Sequence, residues 1–315
     1  MRELYPPLQP NRVLRLDMAH PHRIYVEESG NPHGIPVVFL HGGPGKGCNE
    51  RHRRYFNPAH YRIVIFDQRG AARSTPAGCT SSNSTQDLIA DMERIRTELQ
   101  IEKWLVYGGS WGAALGLLYT QQYPERVTGL ILRGTFLARK YDLDWFSGDG
   151  AGSLLPDYWE KFMAPIPASM REDAVAWYYT RVHGDDDNER LAAARAWNEW
   201  SIRVVTYLMH EGSLESVSDT QVLNEVAIET HYAYHRYFIH EDQILRDAAS
   251  IPHVPVIIVH GRRDITCTLD ASWKLHRALP GSEMHIVPNG GHLAGEDTMI
   301  DALVSATDRM PGLLK

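Results

Sequence analysis

The residues with the clearest chemical potential are Gly108-Gly109-Ser110-Trp111-Gly112, a G-x-S-x-G between a short apolar run and a helical pattern. A serine hydroxyl becomes a useful nucleophile when a sharp strand-to-helix turn exposes it and a neighbouring base takes its proton. Such a turn crowds the backbone, which explains the small flanking residues, and the helix N-terminus behind it favours developing negative charge. His41-Gly42-Gly43-Pro44-Gly45 follows a second apolar run, PVVFL. Acyl transfer needs two backbone N–H donors aimed at the tetrahedral oxyanion, and glycines let the main chain come that close. The amides of Trp111 and Gly43 are the expected donors, with Gly42 as the alternative to Gly43. An acid and then a histidine should follow the nucleophile. Asp264, in HGRRD, and His292, in NGGH, each stand just past an apolar run, where strand ends bring side chains to the sheet edge beside Ser110. In those roles His292 takes the Ser110 proton and returns it to the leaving amine, while Asp264 fixes the imidazole tautomer and stabilises the imidazolium.

Elements must position these groups. Residues 13–16 and 23–27 read as a hairpin, and 36–40 and 61–66 as strands buried on both faces. A helix over 87–99 puts Leu88, Ile89, Met92, Ile95 and Leu99 on one stripe, with Ser84 or Thr85 as its cap. A strand at 104–107, a helix at 111–122 and a strand at 127–132 complete an alternation that argues for a parallel α/β sheet. Past residue 138 the texture becomes helical and rich in Trp, Tyr and His, with amphipathic segments at 189–208 and 221–238. Strands return at 254–260 and 283–288, and 297–309 reads as a closing helix. The expected organisation is a catalytic core of residues 1–138 plus 251–315, interrupted by a helical cap over 139–250.

Composition agrees with a soluble enzyme. The 315 residues carry 32 Lys+Arg against 39 Asp+Glu, a formal charge of −7 that disfavours nucleic acid or an anionic membrane as partner. Three scattered cysteines, Cys48, Cys79 and Cys267, suit neither a disulfide framework nor a cysteine-rich zinc site. The N-terminal MRELYPPLQP has no apolar stretch of signal-peptide type, so a cytoplasmic location is expected. His231 and His235 stand four apart on a helical pattern but lack the glutamate of H-E-x-x-H and an obvious third ligand. No metal and no cofactor are expected. Cys267, three residues past Asp264, is close enough in sequence for a thiol reagent to inhibit by crowding.

Together these motifs resemble the proline iminopeptidases (prolyl aminopeptidases) of the α/β-hydrolase superfamily. The resemblance runs through HGGPG, Phe66-Asp67-Gln68-Arg69-Gly70 with Arg73-Ser74, GGSWG, Leu130-Ile131-Leu132-Arg133-Gly134, Asp144-Trp145-Phe146 and Gly261-Arg262-Arg263-Asp264. It implies an α/β-hydrolase fold with an inserted helical cap, and a metal-free serine exopeptidase that releases an N-terminal proline. The expected partner is a small peptide or amino-acid amide or ester, with the oligomeric state left open.

Such an enzyme must also hold a charged amine, and a buried cation needs a carboxylate partner. The family uses one glutamate in a W-x-x-W-E segment and another in an I-E-x-H-Y segment. Ile228-Glu229-Thr230-His231-Tyr232 keeps the second, so the resemblance gives Glu229 the amine. Trp197-Asn198-Glu199-Trp200-Ser201 departs from the first: Ser201 stands where the family has glutamate. Glu199 cannot replace it, being about 200° away around a helix. One lost charge-assisted hydrogen bond is worth roughly 1.5–3 kcal/mol, about 10- to 100-fold in recognition. The departure motivates an alternative, a related serine hydrolase acting on an ester, lactone or non-peptide amide.

The remaining candidates are open. Arg133 suits either a salt bridge to the cap or a substrate contact. The cap aromatics read as inter-helix core or as an apolar pocket for a pyrrolidine ring, with Trp200 and Tyr232 expected on the pocket side. Asp67 to Gly70 reads as a structural turn with an arginine anchor. A non-catalytic binding protein on this fold would often lack a triad member, and here all three are present.

Overall fold

The computed structural model describes residues 1–207 and 217–314. The chain opens with β1 (Arg12–Asp17) and β2 (Arg23–Gly30), paired antiparallel as the expected hairpin. β3 (Ile35–Leu40) and β4 (Tyr61–Phe66) follow, then α1 (Thr85–Glu98). Ser84 starts this helix by accepting from the Asp87 amide, while the Asp87 carboxylate accepts from the Ser84 amide. Next come β5 (Trp104–Gly109), α2 (Trp111–Gln122) and β6 (Val127–Arg133).

A helical stretch separates β6 from the next strand. It comprises α3 (Lys140–Ser147), α4 (Asp149–Leu154), α5 (Pro156–Met163), α6 (Ala174–Val182), α7 (Asp187–Val205), α8 (Asp219–Tyr234) and the short α9 (Gln243–Arg246). β7 (Val256–Gly261), α10 (Leu269–Ala278), β8 (Glu283–Val287) and α11 (Asp297–Leu313) end the chain.

The eight strands form one sheet in the order β1-β2-β4-β3-β5-β6-β7-β8. β1, β2 and β4 are joined antiparallel, and every pairing from β4 to β8 is parallel. Helices cover both faces, which is why β5 and β7 are buried at every position. One face packs α1, α2 and α10 through residues such as Val38, Met92, Val106, Leu117 and Leu275. The other packs α11 through Ile63, Tyr107, Ile257 and Leu303. A third apolar cluster, with Phe162, Tyr178, Trp197, Trp200 and Val226, lies among the helices between β6 and β7, and Ile265 from the loop after β7 joins it. Ile244 and Ala248, near the end of that segment, pack instead with the sheet-covering helices.

Several boundaries differ from the sequence expectation for identifiable reasons. β5 continues to Gly109 because Gly108 and Gly109 still pair with Leu132 and Arg133. α7 begins at Asp187, where the Asp186 side chain accepts from the amides of Asn188 and Glu189. The expected end of that helix, at residue 208, lies outside the described residues. The helix expected over 221–238 stops at Tyr234, because Arg236, Tyr237 and Phe238 all take positive φ (49°, 53° and 55°) and reverse the chain. α10 is absent from the sequence reading altogether. No helix among the described residues is long and apolar enough to cross a membrane.

Candidate active site

Ser110 occupies the one-residue turn between β5 and α2, with φ 56° and ψ −124°. A left-handed non-glycine residue costs of order 1–3 kcal/mol and persists only where the surroundings impose it. Here they do: the Ser110 amide donates to Arg133 O at 2.9 Å, and its carbonyl accepts from Ala113 at 2.9 Å. The crossing is so tight that a Cβ on Gly112 would lie 2.1 Å from Leu40 O, so only glycine fits. Trp111 is the first helical residue, and its amide has no intrahelical acceptor.

The loop after β3 closes over this turn. A Cβ on Gly42 would lie 3.1 Å from Ser110 Cβ, so the HGGPG backbone passes directly against the serine. Gln68 braces both halves: its Nε2 donates to His41 O (2.9 Å), its amide to His41 Nε2 (3.0 Å), and its Oε1 accepts from Trp111 Nε1 (2.9 Å). The neighbouring Asp67 accepts from the Cys48 amide and from Arg73, and Arg69 forks onto Asp91 at 2.6 and 2.7 Å. The FDQRG run therefore scaffolds the loop, as its reading as an anchored turn anticipates.

Asp264 and His292 meet beyond the ends of β7 and β8. His292 Nδ1 lies 2.8 Å from Asp264 Oδ2, and Asp264 Oδ1 accepts from the amides of Thr266 and Cys267 at 2.9 Å each. Burial alone would raise the Asp264 carboxyl, but His292, His260 and the Cys267 amide hold it below its ordinary value. The pair needs Gly134, at φ 51°, just past β6: a Cβ there would stand 3.1 Å from Asp264 Oδ2. Arg133, one residue earlier, donates through Nη1 to His292 O and so holds the histidine's loop. Among the described residues, no hydrogen bond joins Ser110 to His292; Ser110 Oγ rests 3.9 Å from Cys267 Sγ. Hydrogen bonds between a nucleophile and its base often tighten only in the complex with substrate. Burial raises the Cys267 thiol well above its usual value, which keeps it protonated and a poor target for thiol reagents.

Ser110 and His292 face a cavity of about 400 Å³, whose wall also contains Gly42, Gly43, Arg133, Ser201 and Glu229. Glu229, on α8, is buried and accepts a hydrogen bond from Trp197 Nε1 at 2.9 Å. Burial raises its carboxyl, against the opposing pull of Lys46 and of the Trp197 N–H. Two expected substrate contacts are not part of this wall. Trp200 lies one residue, about 100° of helix, from Ser201. Its ring stacks on Phe162 at 5.5 Å and its Nε1 donates to Phe146 O. Tyr232 is fully buried against Trp111, with its hydroxyl donating to Asn83 Oδ1 at 2.9 Å. His231 likewise points away, its Nε2 lying 3.1 Å from Asn83 O.

The family model described as alpha/beta hydrolase fold matches residues 35–298. A proline iminopeptidase of Xylella fastidiosa (strain Temecula1 / ATCC 700964) is 46% identical over 310 residues, covering 98% of this chain and 99% of the relative. One from Arabidopsis thaliana is 43% identical over 99% of this chain and 83% of its own. The chain belongs to the proline iminopeptidases of the α/β-hydrolase fold. Among solved structures, an esterase from Exiguobacterium antarcticum superposes with a TM-score of 0.61 at 20% identity, covering 93% of this chain and 98% of the other. At that identity the likeness shows the fold alone.

Tyr237 and Lys46 are among the cavity residues that escape the sequence reading. Tyr237 is misplaced by the helical pattern; the left-handed turn swings its ring into the wall, 5.1 Å from Trp111 and 4.9 Å from Phe136. Lys46, directly after HGGPG, reaches the wall from the loop, and nothing in its local sequence announces a partner 179 positions away.

Proposed function

We propose that the protein is a serine exopeptidase that releases an N-terminal proline, or a similar small residue, from peptides. The observation that carries this reading is one cavity walled by both Ser110 and the buried carboxylate of Glu229. Identity of 40–46% to relatives named proline iminopeptidase, over nearly the whole chain, supports it.

In this mechanism His292 Nε2 takes the Ser110 proton as Oγ attacks the first peptide carbonyl. The amides of Trp111 and Gly43 hold the tetrahedral oxyanion, and Asp264 stabilises the imidazolium through Nδ1. His292 then protonates the leaving amine, and a water deprotonated by His292 frees the prolyl group from Ser110. Glu229 receives the substrate's ammonium, and apolar wall residues such as Phe136 and Phe146 surround the ring. Arg133 acts by holding the His292 loop. Residues 139–250 serve as a cap that brings Ser201 and Glu229 over the core. Three free cysteines fit a cytoplasmic location.

The reading is tested with proline, alanine and leucine arylamides beside simple esters. Glu229→Gln should lower kcat/KM for the proline arylamide about 10- to 100-fold, through one lost charge-assisted contact. Turnover of esters with none of the arylamides overturns the reading.

Ser201 supports the second reading, an ester, lactone or non-peptide amide hydrolase, because a neutral group fills that part of the wall. Ser201→Glu should raise kcat/KM for the proline arylamide roughly tenfold or more if a missing carboxylate limits amine binding. An unimproved value means that the clamp is not limiting.

A further inference from the structure

Lys46 extends from the loop that carries Gly43 and turns its ammonium onto two carboxylates of α8. It lies 2.6 Å from Glu225 Oε2 and 3.4 Å from Glu229 Oε1. The two partners are not equivalent. Glu225 is held by Gln221, whose Nε2 donates to Oε1 at 2.8 Å, and it is not part of the cavity wall. Glu229 is in the wall, with its second oxygen already taken by Trp197. Oε1 is therefore the oxygen of Glu229 left to receive a cation from the cavity, and a cation of the chain already stands beside it. The Lys46 side chain is 41% exposed and lines the same cavity, so it has room to move.

We propose that Lys46 is a built-in occupant of the amine site: its ammonium competes with the substrate's N-terminal ammonium for Glu229, and so sets the affinity for free-amine substrates. The proposal rests on Glu229 being the amine-binding group. Two ammonium groups at hydrogen-bonding distance from one oxygen repel each other, so both cannot hold Oε1 at full strength. The shorter Glu225 contact gives Lys46 a place to retreat, since it can surrender the 3.4 Å contact and keep the 2.6 Å one. Partial desolvation in the cavity wall lowers the Lys46 pKa, but Glu229 and Glu225 outweigh that pull and push it up to about 12, so the competitor stays charged. A neutral substrate has no such competition, which makes Lys46 a residue that discriminates between charged and uncharged acyl groups.

The test is a ratio: kcat/KM for proline 4-nitroanilide divided by that for 4-nitrophenyl cyclopentanecarboxylate, an ester with a similar ring and no amine. Because Lys46 opposes the burial that raises the Glu229 carboxyl, the ratio is measured as a function of pH and compared between variants at its maximum. Lys46→Met should raise the ratio about three- to tenfold, chiefly through KM for the anilide. Glu225→Gln removes the retreat, presses Lys46 onto Glu229 and should lower the ratio. The ester rate reports that each variant is folded. An unchanged or lower ratio in Lys46→Met, or two variants moving the same way, overturns the proposal. Ester hydrolysis without any anilide turnover in all three proteins overturns the aminopeptidase reading itself, and this proposal with it.

Discussion

Ser110→Ala is expected to lower kcat roughly 10⁴- to 10⁶-fold while leaving the protein folded. In the proposed mechanism the hydroxyl is the attacking group, and what survives its loss is only the rate that the oxyanion donors and substrate binding provide. Stability should barely move, because among the described residues Ser110 Oγ makes no hydrogen bond beyond the weak 3.9 Å contact with Cys267, and alanine keeps the same backbone at φ 56°. Replacement by glycine would differ, since it relaxes a left-handed residue as well as removing the nucleophile. The measurements are steady-state turnover of a proline arylamide, thermal unfolding, and covalent labelling by a fluorophosphonate. Labelling that persists in Ser110→Ala, with substantial turnover, places the nucleophile elsewhere.

Asp264→Asn should cost about 10⁴-fold in kcat with little change in fold. The structure explains why a near-isosteric change is so severe. Asp264 Oδ1 accepts from the amides of Thr266 and Cys267, so an asparagine is oriented with its carbonyl oxygen on that side. Its NH₂ group then faces His292 Nδ1, which must become the acceptor, and the ring proton moves to Nε2. A histidine protonated at Nε2 cannot take the Ser110 proton. Because Asp264 lies below its ordinary pKa, it is ionised throughout the neutral range and the loss should persist at every neutral pH. A kcat within tenfold of the parent would mean that another group orients His292.

The sequence made the side of the cavity that holds Ser110 and His292 legible and left much of the opposite side hidden, for physical reasons. Ser110, Asp264 and His292 stand next to strand ends, and short buried runs such as VPVIIVH advertise those ends through composition alone. The G-x-S-x-G run is readable because steric crowding at Leu40 O excludes any side chain at position 112. The inserted helices carry no comparable constraint. Trp197, Trp200 and Ser201 look alike in a periodic pattern, and that Trp197 and Ser201 face the cavity while Trp200 does not depends on how α7 rolls against α8 and α6. Tyr237 is hidden by three consecutive left-handed residues, none of them glycine, that interrupt a pattern reading as one helix. Lys46 is hidden differently: its partners, Glu225 and Glu229, lie far away in sequence, and only tertiary packing brings them together.

The loop that carries Asp264 is also gripped from above. Trp145 Nε1 of α3 donates to Ile265 O at 2.8 Å, Thr266 Oγ1 donates to Val204 O of α7, and Ile265 is packed into the apolar cluster of the inserted helices. The acid is thus fastened between two layers, with its carboxylate on the core histidine and its immediate neighbours in the roof. Those helices cannot lift as a rigid flap without pulling on the residue that orients His292. Any movement of those helices is therefore felt at Asp264, which ties the position of the inserted segment to the orientation of His292.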